Sequence, residues 1–139
     1  MRPSHWLQRV GPIVLLLMAG TLQGCPLILL GGGAAGGAAG VAYAKGELEQ
    51  VHAAPYDRVW GATLSALRTL NIAVSDTQKD QISAKAVGAR AADGTAVVVT
   101  VLPVTKDSTS VRVRIGNFGD RPASERIQGQ IAVLLKEGS

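Results

Sequence analysis

The sequence predicts an α+β fold in which two amphipathic helices pack on one face of an antiparallel β-meander sheet, in the order β-α-β-β-β-β-α. Two stretches carry apolar residues at helical spacing, and between them lie short runs in which apolar and polar residues alternate. Turn-forming pairs such as Asp93-Gly94 separate some of these runs. This succession of elements is typical of a single sheet covered by helices.

The first half of the predicted domain consists of one strand and one helix. Residues 47–53 form the strand, although their alternation is imperfect. Pro55 fits the first turn of the helix, and Asp57 lies near its positive end. Asn71 ends the helix. Its apolar residues share one stripe and are Val59, Trp60, Thr63, Leu64, Leu67 and Leu70.

The second half is predicted to contain four strands and a second helix. The strands are residues 72–75, 82–87, 95–102 and 111–115, with a turn at 77–81. The run 95–102 is the most apolar and should be the most buried. Asp120 and Pro122 begin the final helix, whose apolar stripe is Ile127, Ile131, Leu134 and Leu135.

The N-terminal 24 residues have the features of a bacterial lipoprotein signal peptide. Arg2 and Arg9 flank an apolar run too short to span a bilayer, and Gly24 precedes Cys25, the only cysteine of the chain. We expect cleavage between Gly24 and Cys25 and acylation of the thiol. The alternatives are a signal-anchor helix with a buried thiol, or a secretory peptide that is cut elsewhere.

Through acylated Cys25 the protein would bind membrane lipid, and the several acyl chains of a lipoprotein would anchor it stably. Pro26 follows the cysteine, where many inner-membrane lipoproteins carry an aspartate, so the outer membrane facing the periplasm is favoured. Removal of the signal peptide leaves 12 basic against 10 acidic residues. The basic character is therefore partly a property of the signal peptide, and no nucleic-acid partner is predicted.

Residues 25–44 are predicted to form an uncharged, Gly/Ala-rich stalk between the acylated cysteine and a small periplasmic domain at residues 45–139. Gly32, Gly36 and Gly40 are spaced by four, a pattern that allows close helix packing in a membrane. A glycine-zipper helix is one interpretation. A flexible tether is the favoured one, because glycine is a poor helix former.

The residues of the predicted domain contain no recognisable catalytic set. His52 is its one histidine, and neither a metal site nor a nucleophile with its base is evident, so we expect no enzyme, cofactor or metal. Glu47 and Glu49 share a face of one strand, and Arg112 and Arg114 share a face of another that should point to solvent; two solvated faces are the simpler interpretation. The alternative is that Arg112 and Arg114, with Lys85, form a basic patch for anionic lipid headgroups or lipopolysaccharide phosphates. Phe118, between glycines, is either an exposed contact or a plug at the end of the core.

Three segments resemble an uncharacterised family of bacterial lipoproteins, DUF3568. They are CPLILLGGGAAGGAAGVAYAKGELE, APYDRVWGATLSALRTLNI and VRVRIGNFGDRPASERI. The most specific parts are residues 43–49 and 115–120. The resemblance implies a location and a fold. It transfers no catalytic residue, because the family has no assigned activity.

Three functions compete on these observations. The leading hypothesis is a membrane-anchored, non-enzymatic module that binds an envelope protein or supports an assembly. The second is a binder of a lipid or small apolar ligand between the helices and the sheet. The third, least favoured, is an envelope hydrolase. The oligomeric state is left open.

Overall fold

A computed structural model describes residues 38–139 and confirms the α+β class. A six-stranded antiparallel sheet is covered by two helices. The predicted signal peptide at residues 1–24, Cys25 and residues 26–37 of the predicted stalk lie outside the described residues.

The elements follow one another in the order β-β-α-β-β-β-β-α. The strands are β1 (Ala38–Ala44), β2 (Glu47–His52), β3 (Ile72–Lys79), β4 (Ala84–Arg90), β5 (Ala96–Thr105) and β6 (Ser108–Ile115). The helices are α1 (Tyr56–Thr69) and α2 (Arg121–Glu137). In the sheet the strands lie in the order β1-β2-β6-β5-β4-β3. Strands β3 to β6 therefore form the predicted meander, and the β1–β2 hairpin extends it beyond β6.

Strand β1 corrects the predicted element order, which assigned its residues to the stalk. It pairs with β2 through the turn Lys45-Gly46, where both residues have positive φ angles, 52° and 79°. Two successive positive φ angles are what a tight hairpin turn requires. Alanine and glycine have low strand propensity, so the composition of β1 gave no strand signal.

The turn between β3 and β4 also lies later than predicted. β3 continues to Lys79, through the predicted turn at 77–81. The carboxylate of Asp80 then accepts hydrogen bonds from the backbone N–H groups of Ile82 and Ser83, both at 2.8 Å. This local bonding closes the turn. Ile82 consequently lies outside the strand it was predicted to begin and is 75% exposed.

Both helices begin and end at residues that explain their limits. α1 follows Pro55, which is fixed in an extended conformation, and is followed by Asn71 with φ 55°. The side chain of Asp120 caps α2 by accepting the backbone N–H of Ala123 at 3.0 Å. The helices bury one stripe each, made of Val59, Trp60, Thr63, Ala66 and Leu67 in α1 and Ala123, Ser124, Ile127, Gln128 and Ile131 in α2.

The core lies between this helical layer and one face of the sheet. Along β6, Val111, Val113 and Ile115 are buried in it, while Arg112 and Arg114 alternate with them. The prediction that the two arginines point away from the core is therefore confirmed. No element of the described chain covers the second face, which we call the open face.

Candidate functional site

The open face brings together charged residues that lie far apart in the sequence. β2 and β6 are neighbours, and their register places Glu47 opposite Arg114 and Glu49 opposite Arg112. Opposite charges in directly paired positions stabilise a sheet modestly. The acidic pair and the basic pair thus form one mixed cluster, not the two separate faces that the sequence suggested.

Arg112 is neutralised within this cluster. Its Nε lies 3.3 Å from an Oε of Glu49 and 3.8 Å from an Oε of Glu47. The Ser110 hydroxyl donates to the other Glu49 oxygen at 2.6 Å. Arg112 therefore contributes little net positive charge to the predicted basic patch.

Lys85 lies in the same row across the sheet as Arg112, but not beside it. Thr100 on β5 is opposite both residues, so a whole strand separates them. Neighbouring strands are about 4.8 Å apart, which puts Lys85 about 10 Å from Arg112 along the row. The structure therefore does not join these two residues into a continuous patch.

Arg114 lies at the end of β6 and holds the turn that follows. Its guanidinium donates to the backbone carbonyl of Asn117 at 2.8 Å. Arg114 is exposed and forms no ion pair within residues 38–139. Of the predicted arginine pair, it is the one that keeps its charge available.

The turn at residues 116–119 is fixed by direct backbone contact with the β1–β2 turn. A Cβ on Gly46 would lie 2.6 Å from the carbonyl oxygen of Phe118, and one on Gly119 would overlap the backbone of Gly46. Gly119 also has a φ of 83°. Only glycine permits both this approach and this conformation. The two most family-specific segments of the sequence, 43–49 and 115–120, therefore meet at this point.

Phe118 projects from this glycine-fixed turn. Its side chain is 94% exposed, which excludes the interpretation that it plugs the end of the core. Lys45 directly precedes Gly46 at the turn contact, and Arg114 donates to Asn117 within the 116–119 turn. Arg121 stacks over the ring of Tyr43 at 5.6 Å and is paired with Glu125 at 2.8 Å. We call the residues Tyr43, Lys45, Arg114, Phe118 and Arg121 the turn cluster. It combines the exposed rings of Phe118 and Tyr43 with the positive charges of Lys45 and Arg114.

The turn cluster lies at the end of the sheet opposite the residue where the described chain begins. Ala38 pairs with His52, whereas Ala44 pairs with Glu47 beside the turn. The seven residues of β1, at about 3.4 Å each, separate the two ends by about 20 Å. A segment that precedes Ala38 thus joins the domain far from Phe118.

His52 is buried, and its ring is hydrogen-bonded to a side chain of α2. The amide nitrogen of Gln128 faces the carbonyls of Val111 and Leu48, at 2.8 and 3.4 Å. The amide oxygen therefore faces His52 and accepts from its Nε2 at 2.9 Å. Burial lowers the pKa of His52 below its usual value, and the bond to Gln128 opposes this effect.

A small cavity lies between the helices and the sheet near the C-terminal end of α1. Its volume is about 70 Å³. The lining is mainly aliphatic, with two arginines, and consists of Leu70, Ile72, Arg90, Val97, Ile115, Ala123, Arg126 and Ile127. Arg90 is paired with Asp93 at 2.9 Å and with Asp120 at 3.4 Å. The Thr95 backbone N–H and Arg90 together lower the pKa of Asp93 to about 2. The cavity has room for a few carbon atoms.

Neither a metal centre nor a membrane-spanning helix is found among residues 38–139. No three His, Cys, Asp or Glu side chains of this part of the chain are placed to hold a metal ion. No helix in the same range is long and apolar enough to cross a membrane. Gly24 and Cys25, the predicted cleavage and lipidation residues, precede the described range.

Sequence reasoning missed the residues that organise this region. Gln128 falls on the buried stripe of α2, and a polar residue between Ile127 and Ile131 gave a signal that could have been used. Gly46 was also missed. It follows Lys45 and lies between an uncharged run and an alternating run, which is a hairpin signal. The contact between Gly46 and Gly119 has no sequence signal, because it joins segments 73 positions apart.

The comparisons with known proteins agree with the resemblance. A family model described as a protein of unknown function (DUF3568) matches residues 12–133. None of the curated proteins matches the chain.

Proposed function

The chain belongs to the DUF3568 family of unknown function, and on this premise we propose that it is a lipid-anchored envelope protein whose domain binds a protein partner without catalysing a reaction. The anchor would be acylated Cys25, and the contact would be the turn cluster. The observation that carries the contact is Phe118, which is 94% exposed on a turn fixed by glycine.

The proposed anchor is supported by Cys25 itself. It is the only cysteine of the chain, and it follows a basic N-terminus, an apolar run and Gly24. A single cysteine cannot form an internal disulfide in an oxidising compartment, and acylation removes its free thiol. Pro26 in place of aspartate favours delivery to the outer membrane, with the domain in the periplasm.

Intact-mass analysis of the protein purified from host membranes tests the anchor. We expect a chain that begins at Cys25 and carries the mass of a diacylglycerol and a further acyl chain. The Cys25→Ser variant should lack this mass and accumulate with residues 1–24 attached. A free Cys25 thiol, or an uncut wild-type chain, would refute the anchor. Separation of inner and outer membranes on a density gradient tests the proposed location.

The proposed contact is supported by the energetics of a fixed, exposed aromatic ring. Full burial of a phenylalanine side chain is worth about 1.5–3 kcal/mol. A turn that is already ordered loses little conformational entropy on binding. The positive charges of Lys45 and Arg114 beside the ring favour a partner that offers an apolar pocket with carboxylates at its rim.

The position of the turn cluster also favours a protein over the membrane. It lies about 20 Å along β1 from Ala38, the residue nearest to the proposed anchor. A domain held at the Ala38 end presents Phe118 on the side away from that attachment.

Site-specific photo-crosslinking in intact cells tests the contact. A benzophenone amino acid at position 118 should give one reproducible protein adduct. The matched control is position 82, since Ile82 is also exposed, 75%, but lies at the opposite end of the sheet. Arg114→Glu should reduce the adduct several-fold. Identical adducts from positions 118 and 82, or lipid adducts alone at 118, would refute a protein contact there.

The absence of catalysis is proposed on the basis of His52. It is the one histidine in the described range, and its hydrogen bond goes to Gln128. A hydrolase with a serine or cysteine nucleophile usually needs such a base beside the nucleophile. An envelope hydrolase remains the least favoured function.

The second candidate function is the binding of a small apolar or lipid ligand. The cavity of about 70 Å³ favours it, because aliphatic side chains line a space that Arg90 and Arg126 border. Such a lining suits the end of an acyl chain or another short amphiphile. Native mass spectrometry of the full chain should show bound mass, and Ala123→Leu, which fills the cavity, should remove it. An unliganded wild-type spectrum after membrane extraction would exclude this candidate.

A further inference from the structure

The two edges of the sheet differ in how they are protected. β3, at one edge, carries Asp76 and Lys79 and has an irregularity in its pairing between Val74 and Asp76. Charges and bulges on an edge strand prevent it from pairing with another strand. β1, at the other edge, also has an irregularity, between Ala38 and Gly40, but neither charge nor proline in its seven residues, AAGVAYA. The two edges therefore differ in charge.

The composition of β1 resembles that of a central strand in one respect. Among the described strands, only β1 and β5 have no charged residue, and β5 lies between β4 and β6. β1 has a neighbour on one side only, so one row of its backbone N–H and C=O groups is unpaired within residues 38–139. Two of its side chains, Val41 at 51% and Tyr43 at 37%, are exposed apolar groups beside this row.

We propose that β1 pairs with β1 of a second copy of this chain, so that the two sheets join edge to edge in an antiparallel dimer. Two identical uncharged strands bring no like charges together in any register, whereas some registers of a β3 pair would place Asp76 opposite Asp76 or Lys79 opposite Lys79. Val41 and Tyr43 share one side of the sheet, and Gly40 and Ala42 share the other. A two-fold axis therefore places Val41 and Tyr43 of both copies on the same side, where they cover one another.

The dimer depends on the membrane tether, and in this respect the inference rests on the proposed function. Two edges of seven residues bury far less than the ~1,200–2,000 Å² typical of a stable interface in solution. Tethering both copies to one membrane raises their effective concentration and makes a weak contact sufficient. The dimer should accordingly form in the membrane and dissociate in dilute detergent solution.

Cysteine crosslinking of the full chain in host membranes tests this pairing. Ala42 and Gln78 lie at the two ends of one row across the sheet, on β1 and β3, so Ala42→Cys and Gln78→Cys are matched variants. Paired strands lie about 5 Å apart, and a bis-maleimide of about 10 Å reach therefore tolerates more than one register. We expect at least five-fold more covalent dimer from Ala42→Cys. Adding Val41→Lys to it should reduce the dimer several-fold.

The parent chain, with Cys25 alone, separates the possible failures. If the parent chain does not crosslink, and Ala42→Cys and Gln78→Cys give equal amounts of covalent dimer, the β1 pairing is overturned and the anchor is unaffected. If the parent chain itself crosslinks, Cys25 has a free thiol and its acylation is overturned. The β1 pairing is then decided by comparing Ala42→Cys with Gln78→Cys in a Cys25→Ser chain at high concentration. An adduct of Ala42→Cys to a different protein, without dimer, assigns the edge to a partner strand and overturns the second copy.

Discussion

Replacement of Gln128 by leucine tests the buried polar contact between α2 and the sheet. Gln128 is 1% exposed, and its side chain contacts His52 on β2 and the carbonyl of Val111 on β6. Leucine has a similar volume, so no large cavity forms. The main loss is that the Nε2–H group of His52 and the carbonyl of Val111 lose this partner inside the core.

The size of the effect follows from these lost bonds. A buried polar group left unsatisfied costs about 1–3 kcal/mol. His52 is 1% exposed and cannot recover its bond from water without local opening. We therefore expect Gln128→Leu to lower the free energy of unfolding by about 2–4 kcal/mol, out of a typical 5–15 kcal/mol. For a domain of this size, that corresponds to a fall in Tm of roughly 10–25 °C.

Urea denaturation at pH 7, followed by circular dichroism, measures this difference. The midpoint should fall while the slope of the transition stays constant. Gln130→Leu is the matched control on the same helix, because Gln130 is only half-buried, and it should change stability by less than about 0.5 kcal/mol. The double variant His52→Leu with Gln128→Leu should cost less than the sum of the two single changes. Equal stabilities of Gln128→Leu and Gln130→Leu would refute the reasoning.

Three further changes have defined outcomes. Gly119→Ala should lower the free energy of unfolding, measured in urea, by more than about 2 kcal/mol, because position 119 has a positive φ and the new Cβ would overlap the backbone of Gly46. Gly129→Ala is the control: position 129 faces open space on α2, so alanine there should raise the free energy of unfolding by up to about 1 kcal/mol. Asp120→Ala should cost about 1 kcal/mol in the same assay through loss of the α2 cap. The folded-state pKa of His52 is lowered, so the unfolded chain binds the proton more readily than the folded chain. The free energy of unfolding should therefore be constant above pH 6.5 and fall as the pH drops below it, by at most about 1.4 kcal/mol per pH unit. His52→Leu should abolish this fall.

The helices and most of the meander could be predicted because their signals are local. The spacing of Val59, Thr63 and Leu67 places one stripe on α1, and the alternation of Val111 with Arg112 identifies the two sides of β6. The end of β3 was misplaced because the bonding of Asp80 to the next backbone groups decides it, and composition alone does not reveal that bonding.

The candidate site was predicted only in part, because its properties depend on pairing between distant segments. Arg112 and Arg114 have the same local pattern, yet Glu49 neutralises one and the 116–119 turn holds the other. The exposure of Phe118 follows from the contact between Gly46 and Gly119, which joins the β1–β2 hairpin turn to the turn between β6 and α2. Strand β1 was missed because its pairing with β2, and not its alanine-rich sequence, makes it a strand.

The direction of β1 also decides how the domain would respond to mechanical load. A pull on Ala38 that a partner resists at Phe118 acts along the strands, since the two residues lie at opposite ends of the sheet. The hydrogen bonds between antiparallel strands run perpendicular to that direction. Such a force would therefore shear all the bonds between β1 and β2 together, whereas a force across the strands would open them one after another. The β1–β2 hairpin is therefore oriented to resist a load applied between Ala38 and Phe118.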